Sequence, residues 1–159
     1  MNKQQFILNV ERCQRAVRRF LTALCSGDSM LADDLAQESF IKAYLAIDSM
    51  GDEDKFDAWI YRIAYNTFIS NKRKNKYFEP IYVAEKVASL EQSDNLFENQ
   101  ELYVALSQLT PKECYALLLF YMEGYNINEI AEITDCSVAA VKQQLSRGRH
   151  HLKKLLKDE

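Results

Sequence analysis

Three clusters of side chains in this 159-residue sequence carry enough charge and chemistry to define a function. The first is acidic. Asp33, Asp34 and Glu38 fall within about one and a half turns of a helix, with the amide of Gln37 and the ring of Phe40 beside them. Clustered carboxylates can bind a metal ion or act as acid and base, but no histidine accompanies these and no second acidic motif on another helix is evident. An acidic patch around an apolar residue suits docking onto a basic helical surface instead: charge steers the approach and the apolar group anchors. For any one of these residues, a solvated face whose acids favour the helix dipole is a competing explanation.

The second cluster interleaves aromatic rings with cations and amides. Trp59, Tyr61, Tyr65 and Phe68 alternate with Arg62 and Asn66, and the stretch runs on into Asn71, Lys72, Arg73 and Lys74 without an acid. Rings that stack on bases and cations that neutralise phosphates are what single-stranded DNA demands. Trp59 and Phe68 also fit a helical apolar stripe and are expected to be mostly core. The third cluster lies near the C-terminal end. Lys142, Gln143, Ser146 and Arg147 share one side of a helix, with Arg149, His150, Lys153 and Lys154 further along. Lysine or arginine pairs with guanine edges and glutamine with adenine, while cations further along meet phosphates.

These clusters need helices to position them. Apolar spacings of three and four predict a first helix through Phe6, Val10, Cys13, Val17, Phe20, Leu21 and Leu24, stopped by Gly27. A second carries Leu31, Leu35, Ile41, Tyr44 and Leu45 on its inner side. A third runs through Phe56, Trp59, Ile60, Ile63, Ala64, Thr67 and Phe68, with Asp54 as its expected N-cap. From Tyr77 to Gln100 periodicity fades into an acidic stretch containing Pro80, too long for a loop inside one compact domain. Beyond it come Leu102, Tyr103, Leu106 and Leu109. Thr110-Pro111-Lys112-Glu113 then combines a capping threonine, a first-turn proline and a glutamate that reaches back. That helix carries Tyr115, Leu118, Leu119 and Met122 and ends near Gly124. Asn126 and Glu129 open a short helix holding Ile130 and Ile133, Asp135-Cys136 makes a turn, and Ser137 caps a last helix with Val141, Leu145, Leu152 and Leu156 facing inward. A short helix, a tight turn and a second capped helix make a helix-turn-helix, with Ala131 at the close approach.

Bulk composition agrees. Only four glycines and two prolines leave little material for strands joined by tight turns. The net charge of −3 conceals two basic blocks, Lys72 to Lys76 and Lys142 to Lys157, separated by an acidic run, which points to two local contacts with a polyanion. The four cysteines form no CxxC pair, and adjacent His150 and His151 suit a shared metal poorly. No apolar run is long enough to span a bilayer and no signal-peptide pattern opens the chain, so a reduced cytoplasm is expected. Neither a metal nor a cofactor is called for. The expected fold class is all-α: a helical domain over residues 1–76, a flexible acidic linker over 77–100 and a helix-turn-helix domain over 101–159.

With these motifs in order, the chain resembles the extracytoplasmic-function group of the major bacterial sigma family along nearly its whole length. Asp34 to Tyr44 is similar to the helix by which such factors grip the clamp coiled coil of RNA polymerase. Phe56 to Asn66 resembles the helix that opens and reads the melted minus-ten element, and Leu109 to Glu113 with Glu129 to Lys142 resembles the part that reads the minus-thirty-five element. The resemblance implies a sigma factor that binds core polymerase, recognises both elements and directs initiation without catalysing a reaction. It assigns polymerase contact to Asp33, Asp34, Gln37, Glu38 and Phe40, and minus-ten contact to Arg62, Asn66, Asn71, Lys72, Arg73 and Lys74. A base pocket falls to the loop from Ile47 to Phe56. Minus-thirty-five contact falls to Ser137, Ala139, Lys142, Gln143, Ser146, Arg147, Arg149 and His150. Core polymerase and promoter DNA are the implied partners; family members often have an anti-sigma partner as well, although no residue here identifies one.

The sequence departs from the family at three places. Thr134 and Asp135 stand where the turn usually has leucine and glycine, Gln143-Gln144 replaces a small residue and an arginine, and Gly148 is expected to interrupt and weaken the last helix. Two rival functions remain open at this point. A helix-turn-helix regulator that works without polymerase leaves the acidic patch and the aromatic helix idle; a helical metal-dependent hydrolase requires Asp33, Asp34 and Glu38 to hold a metal.

Overall fold

A computed structural model describes residues 1–75 and 100–157. The acidic linker expected over 77–100 lies outside the described residues except for its last position. Helix α1 (Lys3–Leu24) starts in a capping box: the Asn2 side chain accepts from the Gln5 amide, and the Gln5 side chain accepts from the Asn2 amide. It buries Phe6, Cys13, Val17, Phe20, Leu21 and Leu24 and ends where Ser26 and Gly27 turn left-handed, with φ of 58° and 89°. Asp28 caps helix α2 (Ser29–Leu45) by accepting from the Leu31 amide at 3.2 Å.

The inner face of α2 differs from the expectation. Ala32, Leu35, Ala36, Ser39 and Ala43 are the buried residues, whereas Ile41 is 61% and Leu45 79% exposed. Tyr44 sits half out, its ring edge against Phe6. The physical reason is the stripe of small residues at spacings of three and four, which lets α2 approach α1 closely. Large aliphatics at 41 and 45 cannot fit that seam and are turned to solvent.

Two short 3₁₀ turns, Ile47–Ser49 and Glu53–Lys55, lead into α3 (Phe56–Lys74). Asp54 is not its cap. The side chain of Asp52 closes the preceding turn by accepting from the Asp54 amide, and the residue before α3 is Lys55, which makes no capping bond. The start of α3 is instead held by Asp57, in its first turn, which takes a two-pronged hydrogen bond from Arg12 of α1 at 2.7 and 3.0 Å. Phe56, Ile60, Ala64, Thr67 and Phe68 are buried as the periodicity predicts, Trp59 is half-buried, and Tyr61 is buried as well.

The second half opens with α4 (Gln100–Ser107), which buries Leu106 toward Leu109 while leaving Leu102 partly exposed. Thr110 and Glu113 form the expected capping box of α5 (Pro111–Leu117), which continues as one π-type turn, Leu118–Met122, to Gly124 at φ 78°. Asn126 and Glu129 form a second capping box for α6 (Ile127–Thr134). Asp135 ends it in the left-handed region, φ 56° and ψ 42°, the conformation for which glycine is the usual residue. Ser137 accepts from the Ala140 amide at 3.0 Å and starts α7 (Val138–Lys157).

Helix α7 runs unbroken through Gly148, contrary to the expected interruption. The glycine is buried where α7 crosses α5, and a Cβ added there would stand 2.9 Å from Leu117 Cδ1. It is therefore a packing device: the missing side chain lets two helix axes approach. Val141 and Leu145 are buried as expected, Leu152 partly so, and Leu156 is 40% exposed.

The buried side chains of both halves merge into one continuous cluster. The seam between them is aromatic. Tyr65 of α3 stacks on Tyr115 of α5 with centroids 3.8 Å apart, Phe20 of α1 meets Tyr115 at 5.7 Å, and Tyr61 meets Tyr125 edge-on at 5.9 Å. The first-half bundle and the helix-turn-helix are thus packed face to face.

Candidate nucleic-acid interface

Helix α7 presents an uninterrupted acid-free surface. With Val141, Leu145 and Gly148 turned inward, Ser137, Ala139, Lys142, Gln143, Ser146, Arg147, Arg149 and His150 are all exposed. The helix-turn-helix geometry places this face on its second helix, the position that enters a major groove. Arg149 is set further back, its guanidinium over the rings of Phe120 and Tyr121 at 5.7 and 5.8 Å. That contact holds its stem against α5 while its hydrogen-bonding edges stay available.

On α3 the expected strand-reading residues separate into two groups. Toward the C-terminal end Arg73 and Lys74 are exposed and Asn71 and Lys72 half-buried. Lys72 also lies 5.8 Å from the centroid of the Phe68 ring. Near the middle, Arg62 and Asn66 line a cleft of about 360 Å³ whose opposite wall is Lys112, Tyr115 and Gln144 of the second half. Arg62 is engaged there: its Nε donates to the Ile133 carbonyl at 3.0 Å and its Nη2 to the Glu132 carbonyl at 3.1 Å. These are carbonyls of the last turn of α6, which the helix itself leaves short of partners.

The loop from Ile47 to Phe56 does frame a small cavity of about 200 Å³, bounded by Met50, Lys55, Trp59 and Arg62. Its remaining wall is Glu132 and Ile133 of α6, and Lys55 bridges to Glu132 at 2.7 Å. Tyr61, grouped in sequence with the DNA-facing rings, points into the seam. Its hydroxyl donates to Glu123 Oε2 at 2.7 Å, and burial pushes its ionisation well above the usual tyrosine range. Arg19 approaches the same carboxylate at 3.4 Å.

The acidic patch of α2 is exposed at Asp33, Asp34, Gln37 and Glu38. Asp33 lies 3.7 Å from Arg18 and Glu38 lies 3.4 Å from Lys42, surface pairs of small energetic weight. Phe40 is half-buried against the core, so the exposed apolar groups beside this surface are Met30 at one end and Ile41 and Leu45 at the other. Sequence reading missed Ile41 and Leu45 by placing them inside. The signal that would have found them is the Ala32, Ala36, Ser39, Ala43 stripe, whose small side chains mark the buried side. Also missed were the contacts across the seam of Glu123, which no motif marks, and of Glu132, which the sequence offers only as part of the helix-turn-helix. Among the described residues no group of histidine, cysteine and carboxylate side chains is placed to hold a metal ion, and no helix is long and apolar enough to cross a membrane.

Comparison with known proteins matches this architecture half by half. Residues 10–77 match the sigma-70 region 2 family and residues 99–152 match sigma-70 region 4. The chain is 34% identical to the ECF RNA polymerase sigma factor SigW of Bacillus subtilis over 153 residues, covering 83% of this chain and 79% of that one. It is 33% identical to the ECF RNA polymerase sigma-E factor of Haemophilus influenzae, covering 93% and 85%. Among solved structures it is similar to the sigma factor RpoE of Bartonella quintana, solved with the anti-sigma factor NepR, at a TM-score of 0.75, 26% identity and 96% coverage of both chains. CnrH, solved with the cytosolic domain of CnrY, gives a TM-score of 0.71 at 25% identity, covering 99% of this chain and 91% of that one. With its two regions matched in order and relatives above 30% identity over most of both chains, the chain belongs to the ECF sigma factors of the sigma-70 family and recognises promoters to direct transcription initiation by RNA polymerase.

Proposed function

We propose that three faces divide the work of promoter selection. On α7, Lys142, Gln143, Ser146 and Arg147 read base edges of the minus-thirty-five duplex, flanked by Ser137 and Ala139, with Arg149 and His150 on its phosphates. On α3, Arg62 and Asn66 take bases of the melted minus-ten strand, while Asn71, Lys72, Arg73 and Lys74 neutralise its backbone. The cavity beside Trp59 is roomy enough for a base swung out of the stack. On α2, Asp33, Asp34, Gln37 and Glu38 meet a basic surface of the polymerase, with Phe40 behind them and Ile41 and Leu45 as exposed apolar anchors. The observation that carries this reading is the acid-free outward face of α7 on the capped second helix of a helix-turn-helix.

The domains run from 1 to 76 and from 101 to 159, and the acidic segment 77–100 tethers them so that polymerase sets their spacing on one promoter. The chain works in the cytoplasm, needs no cofactor and catalyses nothing, in keeping with a family not known for enzymatic activity. An anti-sigma protein is a further partner, by likeness to the Bartonella quintana factor solved with one. The test is assembly. Wild-type protein is expected to co-elute with core polymerase, and Asp34→Lys to lose that co-elution with its helix content intact. Co-elution of the variant at wild-type level removes α2 as the docking face.

A further inference from the structure

The four cysteines differ sharply in access. Cys13, Cys25 and Cys114 are buried, and burial pushes their thiols up, Cys13 to about 11 and Cys114 to about 12. A thiol held that high carries almost no thiolate near neutral pH and is inert as a nucleophile. Cys136 is half-buried and stands in the turn between α6 and α7, directly before the Ser137 that caps the last helix. Its Sγ donates weakly to the Thr134 carbonyl at 3.5 Å. Neither DNA face uses this sulfur.

The surroundings of Cys136 point to an anionic ligand. It lines the cleft of about 360 Å³ together with Arg62, Asn66, Lys112, Tyr115 and Gln144. Arg62 commits Nε and Nη2 to the end of α6, and neither bond uses its Nη1. Lys112 is exposed at the start of α5, and Asn66 and Gln144 add side-chain amides. Tyr115 is only 3% exposed, and its hydroxyl has no hydrogen-bond partner, although Arg62 and Cys136 both lie close enough to act on its ionisation. A buried hydroxyl left unpaired is costly, and an acceptor brought in by a ligand satisfies it. Against these donors stands one carboxylate of the lining, Asp135, which is exposed.

We propose that Cys136 is a site of reversible S-thiolation, and that the cleft beside it recognises small disulfides bearing carboxylate groups. The step is thiol–disulfide exchange. The thiolate sulfur of Cys136 attacks one sulfur of R–S–S–R, the new S–S bond forms as the old one breaks, and R–S⁻ leaves and takes up the proton that the thiol released. The protein sulfur is oxidised, the leaving sulfur is reduced, and the small disulfide is the oxidant. The retained R group lies in the cleft, with its carboxylates on Arg62 Nη1 and the Lys112 ammonium and an acceptor on the Tyr115 hydroxyl.

The experiment uses the full chain and two disulfides of opposite charge, oxidised glutathione and cystamine, with each adduct located by mass spectrometry. In the native protein Cys136 is expected to take the adduct first, with Cys13, Cys25 and Cys114 far slower. The rate with oxidised glutathione relative to cystamine is expected to be about tenfold higher at native Cys136 than at Cys136 of the urea-unfolded chain, as a cationic cleft concentrates an anionic reagent. Lys112→Glu should bring this preference down toward the unfolded value, and Lys112→Arg should retain it. Both variants should fold, since residue 112 is exposed in the first turn of α5, where an acid also suits the helix dipole. A preference no greater than that of the unfolded chain, or one indifferent to Lys112→Glu, overturns recognition by the cleft. Modification of a buried cysteine ahead of Cys136 overturns Cys136 as the site.

Discussion

At the scale of single residues, particular contacts carry testable energies. Arg147 stands exposed on the outward face of α7. If it pairs with a base edge, Arg147→Ala costs on the order of 1–3 kcal/mol. Transcript profiling on randomised promoters should then show relaxed choice at one upstream position; an unaltered profile removes the assignment. Leu45, 79% exposed beside the acidic patch, makes a separate prediction. Leu45→Asp should weaken core polymerase binding by about tenfold or more, as loss of an apolar anchor does, without changing thermal stability. Charge is legible without a fold, and the charged residues expected on each face are exposed or half-buried. Sequence reading misplaced Ile41, Tyr44 and Leu45 because hydrophobicity was taken as the mark of the inside, whereas α2 buries alanines and serine against α1. Tyr61, one of the rings interleaved with cations in the sequence, instead puts its hydroxyl on Glu123 in the seam.

At the scale of elements, punctuation was the reliable signal. Thr110 with Glu113, Asn126 with Glu129, and Ser137 all cap where their chemistry says they should, since a side-chain oxygen three residues before a free amide has few other uses. Asp54 failed because four polar residues precede α3 and Asp52 took the turn instead. Propensity alone counts Gly148 a weakness, but its place is set by close contact with Leu117. Gly148→Leu should therefore destabilise the second domain by about 1–3 kcal/mol through overpacking, despite the gain in helix propensity. Urea unfolding of the full chain measures this, and a midpoint at or above the wild type refutes the close-approach role. Thr110→Ala should cost about 1 kcal/mol by loss of the cap, read in the same experiment.

At the scale of the whole molecule, the all-helical class and the two-part organisation were legible from scarce glycine, helical periodicity and paired basic blocks. The face-to-face packing was not. Its glue is a stacked tyrosine pair, a buried glutamate and helix-end carbonyls, none of which has a sequence signature, because each depends on two segments more than forty positions apart. The same packing sets Arg62 of α3 on the end of α6. Reconstitution decides whether the chain directs initiation: purified protein and bacterial core polymerase on a genomic fragment library, with run-off transcripts sequenced. Discrete starts that require this protein, preceded by two shared elements at fixed spacing, are the predicted result. Transcripts independent of the protein, together with failure to co-elute with core polymerase, would contradict it.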